Sequence, residues 1–226
     1  QFKNKTPFSK HLTSLIKYAD FGISDVKSVP ANIPSDIWHQ FKEQMKTQIG
    51  ADEGKLEEAF NIKNATQLQF THTGEDSSSA GFGLDNESRG TVAALSFFSL
   101  ALRQLSRPTV TLIDEIDTSL HPALVAELVA LYTDPATNPH GSQLIFTTHD
   151  VSLINHSGSS NRLLQPDQIW LVEKDKDGAS ELFPVTELGI RKEENIGKNY
   201  LNGVYGATPN PSFHTVFAQI MNGDDD

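Results

Sequence analysis

Three carboxylates leave one strand almost together. In "VTLIDEIDTSLHP" (Val110 to Pro122) an apolar run ends in Asp114 and Glu115, and Asp117 follows after one residue. A hard cation such as Mg2+ takes oxygen ligands and keeps several waters, so one carboxylate at a strand end can hold it directly or through water. A second carboxylate next in sequence points elsewhere and can orient or deprotonate an attacking water. The same three acids also suit a metal-dependent nuclease, where paired metals want clustered carboxylates, or a plain acidic turn on the surface.

Two further stretches carry chemistry. "ESRGT" (Glu87 to Thr91) stands before a long apolar segment. Ser88 can cap a helix there, and Gly90 lets backbone N–H groups approach an anion at the positive helix end. An ordinary N-cap would use the same residues. "SQLIFTTHD" (Ser142 to Asp150) is apolar and then polar, which puts His149 at a strand end. A lone histidine in that place is more often incidental than functional.

The elements that must position these groups follow from periodicity and punctuation. Leu12, Leu15, Ile16 and Tyr18 make a helical stripe over Ser9–Ala19, and Ile23–Val29 alternates like a strand. Pro30 and Pro34 bracket a break before Ser35, a suitable N-cap for a helix that Gly50 would end. Asp52–Phe60 predicts one more short helix, so 31–65 reads as a helical insertion without chemistry of its own. Thr66–Gly74 and Ala80–Leu84 read as strands around the polar loop "EDSSS". Val92–Leu105 is apolar almost all round and predicts a buried helix. Strand Val110–Ile113, helix Pro122–Tyr132 and the strand before "TTHD" follow. Then comes a hairpin over Gln168–Val185 with Asp177-Gly178 at its turn.

The expected fold class is therefore α/β. It has a mainly parallel sheet flanked by helices, a β-rich opening and a C-terminal hairpin. In such sheets ligands collect at the carboxyl ends of strands, where both the acidic cluster and "TTHD" lie.

Composition narrows the class. The 226 residues can bury a sizeable core, and 37% hydrophobic content with 13 Phe fits a globular chain. No run approaches the ~18 apolar residues of a membrane span. The opening residues lack the apolar stretch of a secretory signal. With no cysteine there are no disulfides or thiolate zinc sites, which fits a cytoplasmic protein. A net charge of −11 disfavours a stand-alone nucleic-acid binder.

Together, "ESRGT … LIDEIDTSLHP … IFTTHD" resembles the C-terminal half of an ABC-type ATPase domain: signature motif, Walker B strand, D-loop and switch histidine, in that order. The resemblance spans residues 86–150. It is nearer to the structural-maintenance and recombination ATPases and the AAA_15/AAA_21 group than to membrane transporters. The tail from 191 to 226, with "YLNGVYGATPNP", is similar to the ending of bacterial ATPases of abortive phage infection. The packed alternative for its Tyr200, Gly203, Tyr205 and Gly206 is a structural C-terminal turn.

The resemblance implies a P-loop NTPase fold, ATP and Mg2+ as cofactors, and a role for each residue. Asp114 would coordinate the metal, Glu115 would polarise the hydrolytic water and His149 would sense the γ-phosphate. Ser88 and Gly90 would bind the γ-phosphate of ATP held by a second subunit, with the Arg89 cation near the phosphates. Asp117, Ser119 and His121 would lie along the dimer seam. The implied partners are a second copy, joined through an ATP sandwich, and an effector protein, nuclease or toxin, encoded nearby. Nucleic acid would enter only indirectly, and no membrane is implied. The signature departs from the family pattern at its first position, where Glu87 stands in place of the usual Leu.

One part of the ATPase is not in the sequence. A phosphate-cradling loop reads G-x-x-x-x-G-K-[ST]. Gly54-Lys55 and Gly197-Lys198 both lack the earlier glycine, those positions being Ile49 and Lys192, and neither is followed by Ser or Thr. The chain also opens without Met. It is expected to be the later half of the ATPase domain and to bind ATP weakly or not at all by itself. The alternatives are the metal-dependent nuclease and a non-catalytic interaction module that keeps the fold.

Overall fold

The computed structural model describes residues 6–31, 35–49, 66–73, 79–155, 162–191, 194–209 and 211–222. The chain divides into two compact units. One comprises Gln1–Val110 with Thr118–His121, the other Thr111–Asp117 with Pro122–Asp226. The expected short helix over Asp52–Phe60, the Gly50 stop, most of the "EDSSS" loop and the acidic terminus lie outside the described residues.

The first unit opens with helix α1 (Pro7–Tyr18), which starts where the Thr6 side chain accepts the Ser9 N–H and Pro7 sets the first turn. Leu12 and Ile16 of the predicted stripe are buried and Leu15 is half-buried, whereas Tyr18 points to solvent and Ala19 is buried instead. Strand β1 (Ile23–Pro30), helix α2 (Ser35–Ile49), strand β2 (Thr66–Thr73) and strand β3 (Ser79–Gly83) follow. The three strands form one antiparallel sheet in the order β1-β2-β3. Phe70, fully buried, is the largest side chain of that sheet's core face. Helix α3 (Arg89–Gln104) packs against α1. It begins three residues earlier than its apolar run, because Ser88 caps it and Arg89-Gly90-Thr91 form the first turn. The "apolar all round" reading holds for one face only. Ala94, Leu95, Phe97, Phe98 and Ala101 are buried, whereas Ser96 and Arg103 are exposed.

The second unit contains most of strand β4 (Val110–Ile113), helix α4 (Pro122–Thr133) and strand β5 (Gln143–Phe146). Strands β4 and β5 are hydrogen-bonded neighbours. The N–H of Thr147, just past β5, donates to the carbonyl of Ile113, the last residue of β4, at 3.1 Å, so the two carboxyl ends lie side by side. Helix α4 buries Val125, Leu128, Val129 and Tyr132. Tyr132 meets the buried Thr111 of β4 hydroxyl to hydroxyl at 3.4 Å. Thr111 is the residue β4 buries, while Val110 and Leu112 are 55% and 76% exposed, because only one face of the pair is covered.

Strands β6 (Trp170–Lys174) and β7 (Ser180–Pro184) make the predicted antiparallel hairpin. Its turn is wider than a two-residue loop. The Asp175 carboxylate accepts the N–H groups of Asp177 and Ala179, and Gly178 takes φ +87°. The tail then folds into α5 (Ile196–Leu201) and α6 (Phe213–Asn222), which the sequence reading did not place. Tyr205 is buried with Ile169, Leu171, Val185 and Ile196. Its hydroxyl donates to Glu194 at 2.7 Å, and Tyr200 donates to the carbonyl of Ala207 at 3.0 Å. Gly203 and Gly206 both sit at positive φ, where a side chain would be strained. The tail motif is thus a packed turn in its own right.

The fold is α/β with mixed sheets. The balance differs from the mainly parallel expectation: among the described residues the β1–β2, β2–β3 and β6–β7 ladders are all antiparallel. As expected, the opening is a helix followed by strands that α2 interrupts, and a tail follows the hairpin; the tail carries two helices. Among the described residues no helix is long and apolar enough to cross a membrane.

Candidate functional site

The acidic turn after β4 is held by the turn after β5. The Thr147 hydroxyl donates to Asp114 Oδ1 at 2.5 Å and accepts the N–H of Glu115 at 2.8 Å. Its carbonyl accepts the N–H of Ile116 at 3.0 Å. One threonine therefore ties three successive residues of the acidic run. Glu115 sits at φ +51°, a left-handed conformation that an L side chain adopts at a cost of order 1 kcal/mol or more. The cross-strand bond to its N–H and the burial of Ile116 maintain that conformation. Asp114 and Glu115 themselves are exposed.

Asp117 is held separately. Its Oδ1 accepts the Thr148 hydroxyl at 2.6 Å and the His149 N–H at 3.3 Å. Partial burial pushes its pKa up. The Thr148 hydroxyl, backbone N–H groups and the charge of His149 more than offset this and hold it below the ordinary 3.8. Asp150 caps the short turn Val151–Ile154 by accepting the Ser152 N–H, and its own N–H donates to the Thr148 hydroxyl. The His149 imidazole is exposed. Among the described residues no group of three or more His, Asp or Glu side chains is arranged to hold a metal. Asp114 and Asp117, moreover, each engage a different hydroxyl. An exposed carboxylate beside a threonine hydroxyl does fit Mg2+, which takes one or two carboxylates and fills its remaining positions with water and phosphate oxygens.

Within the first unit, Ser88 caps α3 by accepting the Thr91 N–H at 3.0 Å and contacts the Thr91 hydroxyl at 2.9 Å. Gly90 packs so closely that a Cβ would lie 2.7 Å from the Ser119 carbonyl oxygen, and Ser119 itself is at φ +65°. The Ser88–Gly90 turn and the Ser119 loop therefore meet backbone to backbone. Arg89 is exposed at the start of the helix, as is His121 in the loop. Just before the cap, Glu87 Oε1 is 2.8 Å from His72 Nε2. That pair borders an open hollow of about 340 Å³ lined by Phe21, His72, Phe82, Asn86, Glu87, Ser88 and Thr91.

Residues 2–155 match the family model described as "AAA domain, putative AbiEii toxin, Type IV TA system". The chain belongs to this AAA-domain family. No curated protein matches it.

Membership places the chain among nucleotide-binding ATPase-type domains of α/β class. The matched stretch of this AAA-domain chain contains all of the sequence-predicted site residues, from Ser88 to His149. The structure brings Asp114, Glu115, Asp117 and His149 onto adjoining turns of one unit, and Ser88, Arg89, Gly90, Ser119 and His121 into the other. Thr147, Thr148 and His72 escaped the sequence reading. The paired hydroxyls of "TTHD" were the available signal for the first two. No sequence signal marked His72, because only the fold brings it within 2.8 Å of Glu87.

Proposed function

We propose that this chain supplies the signature, Walker B, D-loop and switch-histidine parts of an ABC-type ATPase (residues 86–150), with residues 31–65 as an insertion and 191–226 as a packed tail. In this reading β4 and β5 are part of a parallel sheet. Asp114 holds Mg2+, Glu115 orients the hydrolytic water, and His149 meets the γ-phosphate. Ser88, Arg89 and Gly90 face the phosphates of ATP bound by a second copy, and Asp117, Ser119 and His121 line the seam between copies. Bound Mg·ATP would supply the electrophilic phosphorus and the charge that these groups recognise.

The observation that carries the reading is the Thr147 bridge, which fixes one carboxylate and the backbone of the next residue at adjoining strand ends. Fixing both residues matters because catalysis of phosphoryl transfer is mostly positioning and charge stabilisation. ATP-dependent dimerisation then works a partner effector in defence against phage. The family description, with its toxin of a type IV toxin–antitoxin system, supports that direction. The sequence carries no G-x-x-x-x-G-K-[ST] loop, so these 226 residues by themselves should bind ATP weakly or not at all.

Hydrolysis assays on Asp114→Asn, in a form of the protein that carries a phosphate loop, test the assignment. Turnover should fall at least about 100-fold at every Mg2+ concentration. Wild-type turnover would contradict it.

A further inference from the structure

The first position of the signature carries an acid where the family pattern has an apolar residue, and the side chain of that acid is largely covered. The Glu87 side chain is 5% exposed, so its carboxylate needs a donor to offset lost hydration. His72 of β2 supplies it at 2.8 Å.

His72 is itself fixed within the sheet. It pairs in register with Ile23 of β1 and Ala80 of β3, and its ring meets Phe82 edge-on at 5.4 Å. Glu87 in turn adjoins Ser88, whose hydroxyl holds the first turn of α3. On the opposite side, Gly90 leaves no room against the Ser119 carbonyl. The turn from Ser88 to Gly90 is thus gripped between a tether to the sheet and a backbone contact with the loop.

We propose that His72 is a positioning residue: through Glu87 it sets the Ser88–Gly90 turn in the orientation from which that turn meets a phosphate. The inference rests on the signature reading above. It gives the three-stranded sheet a task in turnover that no sequence motif announces.

His72→Gln and His72→Leu test it, being similar in size, with only Gln keeping an N–H donor for Glu87. In the 226-residue chain, amide exchange at Thr91 and Val92 should quicken at least about tenfold in the Leu variant and stay near wild type in Gln. The N–H groups of Leu95 to Ala101 should be unaffected in both. In a form that turns ATP over, His72→Leu should lower kcat about tenfold with KM for ATP within about twofold, and His72→Gln should keep most of kcat.

Equal behaviour of the two variants, whether both normal or both impaired, overturns the proposal. If His72→Leu does not fold, Glu87→Ala removes the other end of the tether without stranding a carboxylate. A tenfold loss of kcat there supports the proposal, and wild-type kcat overturns it. Ser88→Arg separates the two readings. Unchanged turnover in that variant sinks the signature assignment itself, whereas loss there beside a normal His72→Leu sinks only the role of His72.

Discussion

Thr147 holds Asp114 by a 2.5 Å hydroxyl–carboxylate bond and, with the same oxygen, receives the N–H of Glu115. Replacing Thr147 by Val keeps the shape and removes both bonds. Groups that orient a metal-binding carboxylate typically account for 10- to 100-fold in affinity or activity. Thr147→Val should therefore raise the Mg2+ concentration for half-maximal ATP turnover about tenfold or more, while Thr147→Ser stays near wild type. A Mg2+ titration of the hydrolysis rate checks this.

Asp117 makes its contribution to stability only while ionised. Its pKa is depressed in the folded state, so the unfolded chain binds the proton first, and stability is lost as pH falls through the folded value. Urea denaturation of wild type and Asp117→Asn should show a gap of about 1–2 kcal/mol from pH 7 down to about 5. The gap should close as the pH drops below the ordinary value of 3.8. A gap that persists unchanged at pH 3 would contradict the hydrogen-bonded carboxylate.

Gly90 faces a backbone oxygen, which cannot swing aside as a side chain can. A methyl group placed 2.7 Å from the Ser119 carbonyl must push one of the two turns away. Gly90→Ala should cost about 1–3 kcal/mol by thermal or urea denaturation, the range of an overpacked contact. A variant as stable as wild type would mean that the two turns are not in contact.

The tail carries a polar network that is structural. Glu194 accepts the Arg191 N–H, the Tyr205 hydroxyl and the Asn199 side-chain amide. Those bonds, the Arg191 N–H first, hold its pKa below the ordinary carboxylate value. Burial, then the bond to Glu194, pushes the Tyr205 hydroxyl up. Tyr205→Phe should destabilise the chain by about 1–2 kcal/mol at neutral pH. Glu194 has a depressed pKa, so this loss should shrink as the solution is acidified below the carboxylate range. Denaturation at pH 7 and pH 3 reads both.

Much of the path from sequence to site was legible because local signals agreed with one another. Val110–Ile113 is bounded by Pro108 and the acids, and it is a strand with those limits. Ser88 before an apolar run is the N-cap it resembled. Pro122 opens α4, as proline at a first helical turn should. What stayed hidden depends on residues far apart in sequence. Thr147 looks like one more β-branched residue until β5 lies beside β4. His72 sits in an alternating strand with no motif around it, and only the fold brings it to Glu87. The exposure of Val110 and Leu112 was equally illegible, since an apolar residue does not announce which face of a sheet is covered. Nor did the tail's glycines and tyrosines reveal that they pack against the β6–β7 hairpin until Tyr205 was seen among Ile169, Leu171 and Val185.

In the proposed function Glu115 activates water while the rest of the constellation binds nucleotide and a second copy. Glu115→Gln keeps size and hydrogen bonding but cannot take a proton. In a form of the protein with a phosphate loop, steady-state hydrolysis and sedimentation with Mg·ATP measure both activities on one sample. Hydrolysis should fall at least about 100-fold while ATP-dependent dimers accumulate. Hydrolysis at the wild-type rate would contradict this role of Glu115.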